Sequence, residues 1–97
     1  MSRAGEVGDG LRLRRERASL RERVASGGLS LSELFDMDSM AARGMRVDYA
    51  LRSVVGIGPA RAASIMETAR VAEGRRVGGL GRRQREAILN ILEGVSR

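Results

Sequence analysis

Residues 54–92, VVGIGPARAASIMETARVAEGRRVGGLGRRQREAILNIL, decide the fold of this chain. A Gly-Ile-Gly turn leads into a helix, because Pro59 suits the first helical position and the next apolar residues recur at helical spacing: Ala62, Ile65, Met66 and Ala69. A second helix is predicted from Arg82 to Leu92, with a buried face formed by Ala87, Ile88, Ile91 and Leu92. Between them, VAEGRRVGGLG predicts an ordered loop rich in glycine and arginine.

Both predicted helices begin without a capping side chain. Gly58 and Gly81 occupy the N-cap positions, where Ser, Thr, Asp or Asn usually accepts hydrogen bonds from free backbone N–H groups. Arg61, Arg82 and Arg83 lie in the first turns, although the positive end of a helix dipole disfavours cations. Free N–H groups, a dipole and guanidinium groups together suit an anion. The alternative is that the two glycines only permit tight turns.

The residues before this stretch predict further helices. Residues 1–10, MSRAGEVGDG, have three glycines and no apolar periodicity, and they predict a mobile tail. A basic helix follows from Leu11 to Ser26 and ends at a glycine pair. Residues 29–55 predict short helices: one starts at a Ser30–Glu33 capping box, one turn spans residues 39–43, and one helix spans residues 46–55. The sequence therefore predicts an all-α fold of about five helices, with one domain over residues 11–97 and its helix-two-turns-helix module over residues 56–93.

The composition excludes several classes of protein. The chain has no Cys and no His, so thiolate metal sites, disulfides and the usual general base are missing. We therefore expect no catalysis, no metal and no other cofactor, and we interpret Glu33, Asp36 and Asp38 as helix-dipole partners or solvated charges. No apolar run reaches the roughly 18 residues that a membrane span needs. These observations predict a small cytoplasmic monomer with no membrane partner.

The charge indicates a polyanionic partner. All 18 basic residues are Arg, and the formal net charge is +6. Arginine binds phosphate bidentately and stays protonated. Residues 1–28 and 55–97 are basic, whereas residues 29–54 form a near-neutral connector. Phe35 and Tyr49 are the only aromatic residues, which disfavours the base stacking used by single-strand binders. Because GIGPAR also lacks the pattern of a nucleotide-binding loop, backbone phosphates of a duplex are the better candidate.

Several segments resemble known families. Residues 51–89 resemble the helix-two-turns-helix module shared by ribosomal small-subunit proteins and DNA glycosylases. RRERASLRERVASGGLSL (14–31), RGMRVDYALRSVVGIG (43–58) and RRVGGLGRRQR (75–85) resemble the actinobacterial integration host factor family more closely. This resemblance runs from about Leu11 to the C-terminus. It implies a nucleoid-associated protein that binds double-stranded DNA through phosphate and minor-groove contacts with little sequence preference. It also implies that the protein bends or compacts DNA and assists a site-specific recombinase.

The resemblance and the argument for an anion site together assign two sets of DNA-binding residues. The primary set lies at the two helix starts and in the loop between them: Gly56, Ile57, Gly58, Pro59, Ala60, Arg61, Arg75, Arg76, Gly79, Gly81, Arg82 and Arg83. The secondary set lies on the basic helix: Arg14, Arg17 and Arg21.

The chain departs from the family pattern at three places. Pro59 stands where the family usually has a basic residue, Gly78 stands where its loop carries a further Arg, and a short glycine-containing tail replaces a longer N-terminal arm. These departures fit a divergent or phage-borne member. Two other functions stay open: an RNA- or ribosome-associated protein with the same module, and a helical adaptor whose arginine face binds an acidic protein.

Overall fold

A computed structural model describes the backbone of residues 2–95 and the side chains of residues 10–94. The fold is all-α, as predicted, with six α-helices and one 3-10 helix in the described residues. The α-helices are α1 (Ser2–Ser26), α2 (Leu31–Asp36), α3 (Met40–Arg43), α4 (Val47–Leu51), α5 (Pro59–Thr68) and α6 (Arg82–Val95), and the 3-10 helix spans Val77–Gly79. An isolated bridge joins Arg46 and Arg76. Over the described part of the chain, no helix has the length and apolar character needed to cross a membrane.

Helix α1 begins earlier than the sequence predicts. Its helical backbone starts at Ser2, so residues 2–10 extend the basic helix and the predicted start at Leu11 is wrong. Each glycine in a helix costs about 1 kcal/mol relative to alanine, but glycine keeps its backbone N–H, unlike proline. Adding a residue to an existing helix is also easier than starting one, because nucleation is the costly step. The helix therefore continues through a segment of weak propensity.

The short helices begin where the sequence predicts. Ser30 and Glu33 form a complete capping box at α2, and the Ser39 side chain accepts a hydrogen bond from the backbone N–H of Ala42 at α3. Helix α4 ends at Leu51, earlier than the predicted Val55. After it the chain turns through three-residue hydrogen bonds, including the bond from the Ser53 backbone N–H to the Ala50 carbonyl at 3.1 Å. These tight turns are incompatible with continued α-helix.

The core contains the apolar faces that the sequence predicts for the C-terminal helices. All four predicted residues of α5 and its C-cap are buried, and Ile88 of α6 is completely buried, whereas Ala87, Ile91 and Leu92 are partly buried. Helix α5 packs between α4 and α6, and α1 packs on α3. The 3-10 helix also lies against α3. This packing fixes the loop between α5 and α6 onto the short helices of the connector.

Candidate nucleic-acid interface

The turn before α5 is open at its last glycine. Gly56 has φ +90°, a conformation that favours glycine, and the side chain of Ile57 is buried in the core. Gly58 is extended, with φ −89°, and a Cβ added there would meet no atom within 4 Å. The N-terminus of α5 has no side-chain cap, and Pro59 occupies its first turn as predicted. The backbone at Gly58 is therefore accessible, whereas Ile57 anchors the turn and its side chain is not available to a ligand.

The surface around this turn fits the predicted primary set. Pro59, Ala60 and Arg61 are all exposed. The backbone N–H groups of residues 60 and 61 lie in the first turn of α5, where an α-helix offers no intrahelical partner. Together with the guanidinium of Arg61, they form a helix start that can bind an anion.

The start of α6 is more tightly constrained than the sequence predicts. The side chain of Gln84 accepts a hydrogen bond from the Gly81 backbone N–H at 2.9 Å and donates one to the Arg70 carbonyl at 2.8 Å. The prediction that nothing local caps this helix is therefore wrong for one donor of α6, the Gly81 N–H, whereas the N–H groups of residues 82–84 have no intrahelical partner. Glutamine three residues after an N-cap is the signal that could have revealed it. Arg82 and Arg83 are exposed, and Arg82 forms a solvated ion pair with Glu86.

The loop of residues 75–79 is held in place by backbone pairing. The Val47 backbone N–H donates to the Arg75 carbonyl at 2.9 Å, and the Val77 backbone N–H donates to the Met45 carbonyl at 2.8 Å. The guanidinium of Arg76 also donates to the Gly44 carbonyl, and that of Arg75 donates to the Gly79 carbonyl. Both arginines are exposed and have a defined direction, because each is fixed at one nitrogen.

Close packing against α3 surrounds Gly78, the loop residue that stands where the family pattern has an arginine. A Cβ at Gly78 would lie 3.1 Å from both the Cβ and the carbonyl oxygen of Arg43. This spacing is tighter than ordinary packing, so a larger residue would push α3 away from the loop. Arg43 is exposed, and its side chain lies against Gly78. A guanidinium from α3 is therefore present beside the loop in place of one from the loop itself.

Two of the secondary residues are less solvated than the sequence predicts. The Nε of Arg17 donates to the Ala41 carbonyl at 2.9 Å, and the Nε of Arg21 donates to the Tyr49 carbonyl at 3.2 Å. The Arg21 guanidinium also lies 3.9 Å from the centre of the Tyr49 ring. Arg14 is exposed. Arg17 and Arg21 thus attach α1 to the connector.

The structure gathers arginines from three distant segments around one groove. This arginine groove has a volume of about 500 Å³. Its lining residues are Arg14, Arg17, Gly44, Met45, Arg46, Asp48, Tyr49, Arg52 and Arg76. Arg46 and Arg52 were not predicted, because the connector is near neutral overall. Asp48 lies close to both of them, with N···O separations of 3.7 and 3.8 Å, so its carboxylate offsets part of their positive charge.

The acidic residues in the connector have structural partners. Glu33 accepts a hydrogen bond from the Ser30 backbone N–H, and hydrogen bonds from Ser30 lower the pKa of its carboxyl group. Asp36 pairs with Arg85 of α6, and Asp38 lies 3.9 Å from Arg43. In residues 10–94 no group of three or more Asp, Glu, His or Cys side chains is placed to hold a metal ion.

Known proteins share both the sequence and the fold. Residues 13–91 match the model of the S13-like H2TH domain. The integration host factor of Mycobacterium tuberculosis is 38% identical over 78 residues, which cover 78% of this chain and 74% of that protein. The integration host factor of Streptomyces coelicolor is 40% identical over 73 residues, which cover 73% and 68%.

A solved structure of sIHF bound to an 8 bp palindromic DNA superposes with a TM-score of 0.84 and 34% sequence identity. The superposition covers 87% of this chain and 97% of the other. The region matched by the family model, residues 13–91, includes both helix starts, the loop between them and every residue of the arginine groove. This chain therefore belongs to the S13-like H2TH family and to the integration host factors of actinobacteria.

Proposed function

We propose that this chain is a non-catalytic, nucleoid-associated protein of the cytoplasm that binds double-stranded DNA as a monomer. Residues 11–97 form the binding domain, and contacts to phosphates and the minor groove give little sequence preference. The protein bends or compacts DNA and in this way assists a site-specific recombinase. The solved relative that is bound to DNA supports duplex DNA as the partner, because it shares the fold over most of both chains.

The observation that carries this proposal is the convergence of arginines from three segments. Arg14 and Arg17 come from α1, Arg46 and Arg52 come from the connector, and Arg76 comes from the loop before α6. The bridge between Arg46 and Arg76 brings together residues 30 positions apart in the sequence. Guanidinium groups held on a folded surface lose less side-chain entropy on binding phosphate than solvated ones do. The surface is therefore preorganised for a row of phosphates.

The helix starts and the arginines have complementary roles. Backbone N–H groups at the start of α5 suit one phosphate at close range, since Gly58 presents no side chain. Arg75 and Arg76 project from a pinned loop and suit adjacent phosphates or the narrow minor groove. None of these groups presents the extended helix face that base reading in the major groove uses. We therefore expect affinity without strong sequence discrimination.

A salt titration tests the proposal. If about five phosphates are neutralised, the logarithm of the binding constant should fall against the logarithm of salt concentration with a slope of about −4 to −5. The slope should be similar for random duplexes of different sequence. Folded RNA of equal charge and an acidic protein serve as competing ligands. A slope near zero, or tighter binding to either competitor, would contradict the proposal.

A double variant and a control variant test which surface of the protein binds DNA. Arg75→Ala together with Arg76→Ala should weaken binding to all duplexes alike and reduce the magnitude of the salt slope by about two. The Arg76 substitution also removes its bond to the Gly44 carbonyl, so we expect a small loss of stability of about 0.5–1.5 kcal/mol. Arg23→Ala is the control, because Arg23 lies on the other side of α1 beside Glu33 and Asp36. It should leave the slope unchanged.

A further inference from the structure

We propose that Met40 is an apolar wedge that bends DNA by entering a base step from the minor groove. This inference rests on the proposed function, because it requires a bound duplex. Contacts to phosphates alone do not explain how DNA is bent, and this inference assigns the bending to one side chain. Proteins that kink DNA commonly insert an apolar side chain, methionine included, and partly unstack the bases.

The exposure of Met40 is the first observation. Met40 is the first residue of α3 and is 74% exposed, whereas the next two residues, Ala41 and Ala42, are almost completely buried. The helix therefore packs through its alanines, and Met40 adds nothing to the core. Single exposed apolar residues are common on protein surfaces, so exposure alone does not indicate a function.

Met40 differs in its surroundings from Leu11 and Val55, which are also exposed but line neither the arginine groove nor the hollow beside it; Val55 precedes Gly56 of the primary set. Met40 lines this open hollow of about 690 Å³ together with Arg17, Asp38, Arg43, Gly44, Gly78 and Gly79. Two of these residues, Arg17 and Gly79, belong to the predicted DNA-binding sets, and Arg17 and Gly44 also line the arginine groove. The hollow is thus continuous with the surface proposed for phosphate.

The lining of the hollow suits a minor groove. Arg43 lies one helical turn after Met40 on α3. Arg17 comes from α1, and its bond to the Ala41 carbonyl holds it beside α3. The glycine pair adds no side chain of its own to the opposite wall, and the Arg43 and Arg75 side chains pack against it, so that wall presents guanidinium groups to a sugar-phosphate backbone. The carboxylate of Asp38 is the one acidic group in the hollow, and it lies 3.9 Å from the Arg43 guanidinium, which offsets its charge.

Met40→Gln and Met40→Leu form the test pair. Glutamine has the length of methionine and leucine is one bond shorter, all three have similar helix propensity, and only leucine keeps an apolar tip. Ligase cyclisation of a duplex of about 150 bp, close to the persistence length of DNA, measures bending at saturating protein. Met40→Gln should lower the protein-induced cyclisation rate by about threefold or more, whereas Met40→Leu should stay within about twofold of the parent. Leu11→Gln, at an exposed apolar residue outside the hollow, should cyclise like the parent.

Affinity for short duplexes separates this inference from the proposed function. Both Met40 variants should bind a linear 20 bp duplex within about threefold of the parent, because their phosphate contacts are intact. A Met40→Gln variant that saturates DNA and cyclises it like the parent would overturn the wedge. Loss of cyclisation in Met40→Leu, or a parent that binds but does not bend DNA, would also overturn it. Absence of any duplex binding by the parent would instead contradict the proposed function.

Discussion

Helices α5 and α6 both begin after a glycine, yet the two starts differ in whether a side chain of the protein already accepts a hydrogen bond from their backbone N–H groups. At α5 the N-terminus has no capping side chain, and the space around Gly58 is empty. At α6 the side chain of Gln84 accepts the hydrogen bond of the Gly81 backbone N–H and connects this helix start to the end of α5. The same sequence feature thus produces one open helix start and one that is partly occupied.

Helix α2 provides a third case, in which capping is complete. Ser30 and Glu33 exchange side-chain-to-backbone hydrogen bonds in both directions. The three starts form a series from full capping at α2, through half of a capping box at α6, to none at α5. Where capping is complete, the helix gains stability; where it is absent, the free N–H groups can bind a ligand. The two glycine starts thus differ by single donors: the Gly81 N–H is occupied and the Gly58 N–H has no side-chain partner, whereas Pro59 has no N–H and Arg82 has one.

Gly58→Asp should have the largest effect on DNA binding. The backbone there is in the extended region typical of N-cap residues, so aspartate fits and stabilises α5 by up to about 1 kcal/mol or leaves its stability unchanged. Its carboxylate would occupy the phosphate position, and duplex affinity should fall by about tenfold or more. Thermal melting and duplex titration measure the two quantities. Gly58→Asn is the control, since it caps without charge and should lose less affinity. A Gly58→Asp protein that melts earlier yet binds like the parent would contradict the phosphate site.

Gly81→Asp should have a smaller effect than Gly58→Asp. A Cβ at position 81 would lie 3.3 Å from the Oε1 atom of Gln84, so this flexible side chain must shift by a few tenths of an ångström and its bond to the residue 81 N–H is weakened. We expect little net change in melting temperature and a drop in affinity of about threefold, since this helix start is already partly satisfied. The same two measurements apply. Equal losses of affinity at both glycines would remove the distinction between the two helix starts.

Gln84→Ala should affect stability more than binding. It removes two hydrogen bonds at an incompletely exposed site and should lower the free energy of unfolding by about 1 kcal/mol, with duplex affinity within about twofold of the parent. Gln84→Glu keeps the acceptor for the Gly81 N–H but cannot donate to the Arg70 carbonyl, so it separates the two bonds. Denaturant unfolding monitored by helical content gives the stability. A larger change in DNA affinity than in stability would identify Gln84 as part of the binding surface.

The pH dependence of the α2 cap should be the smallest effect. Hydrogen bonds from Ser30 lower the pKa of Glu33 in the folded protein below its usual value near 4.5. The stabilisation that the ionised Glu33 gives to the folded protein is therefore fully present above about pH 4.5, and it is lost as the pH falls through the lowered pKa. Gln cannot ionise but keeps an oxygen that can accept from the Ser30 backbone N–H, so the difference in melting temperature between the parent and Glu33→Gln should narrow over this acidic range. A difference that stays constant with pH would show that the Glu33 carboxylate takes no part in the cap.

Local chemistry in the sequence was sufficient to predict much of the fold. The capping box at Ser30, Pro59 in the first turn of α5 and the apolar spacing of α5 each act within one or two helical turns, and the structure confirms them. The start of α1 was wrong, because glycine content lowers helix propensity without blocking propagation from an existing helix. The early end of α4 was also missed, since it depends on turns that a periodic pattern does not distinguish from helix.

The arginine groove depended more strongly on tertiary structure than the helices did. Charge counting predicted arginines at both ends of the chain, but it treated the connector as near neutral and omitted Arg43, Arg46 and Arg52. Net charge over a segment does not report where its individual guanidinium groups point. The Arg46–Arg76 bridge and the packing of α1 on α3 bring these side chains to one surface.

The sequence by itself determined the helical class, the positions of most helix starts and the cationic character of the protein, because these follow from residue type and short-range spacing. Tertiary structure alone decided which arginines share the arginine groove, that Ile57 is buried while Gly58 is open, and that Met40 projects beside Arg17 and Arg43. The physical reason is the sequence separation over which each interaction acts. Capping and amphipathic spacing act between residues up to about four positions apart, whereas the groove joins α1, the connector and the 75–79 loop only after the core has packed.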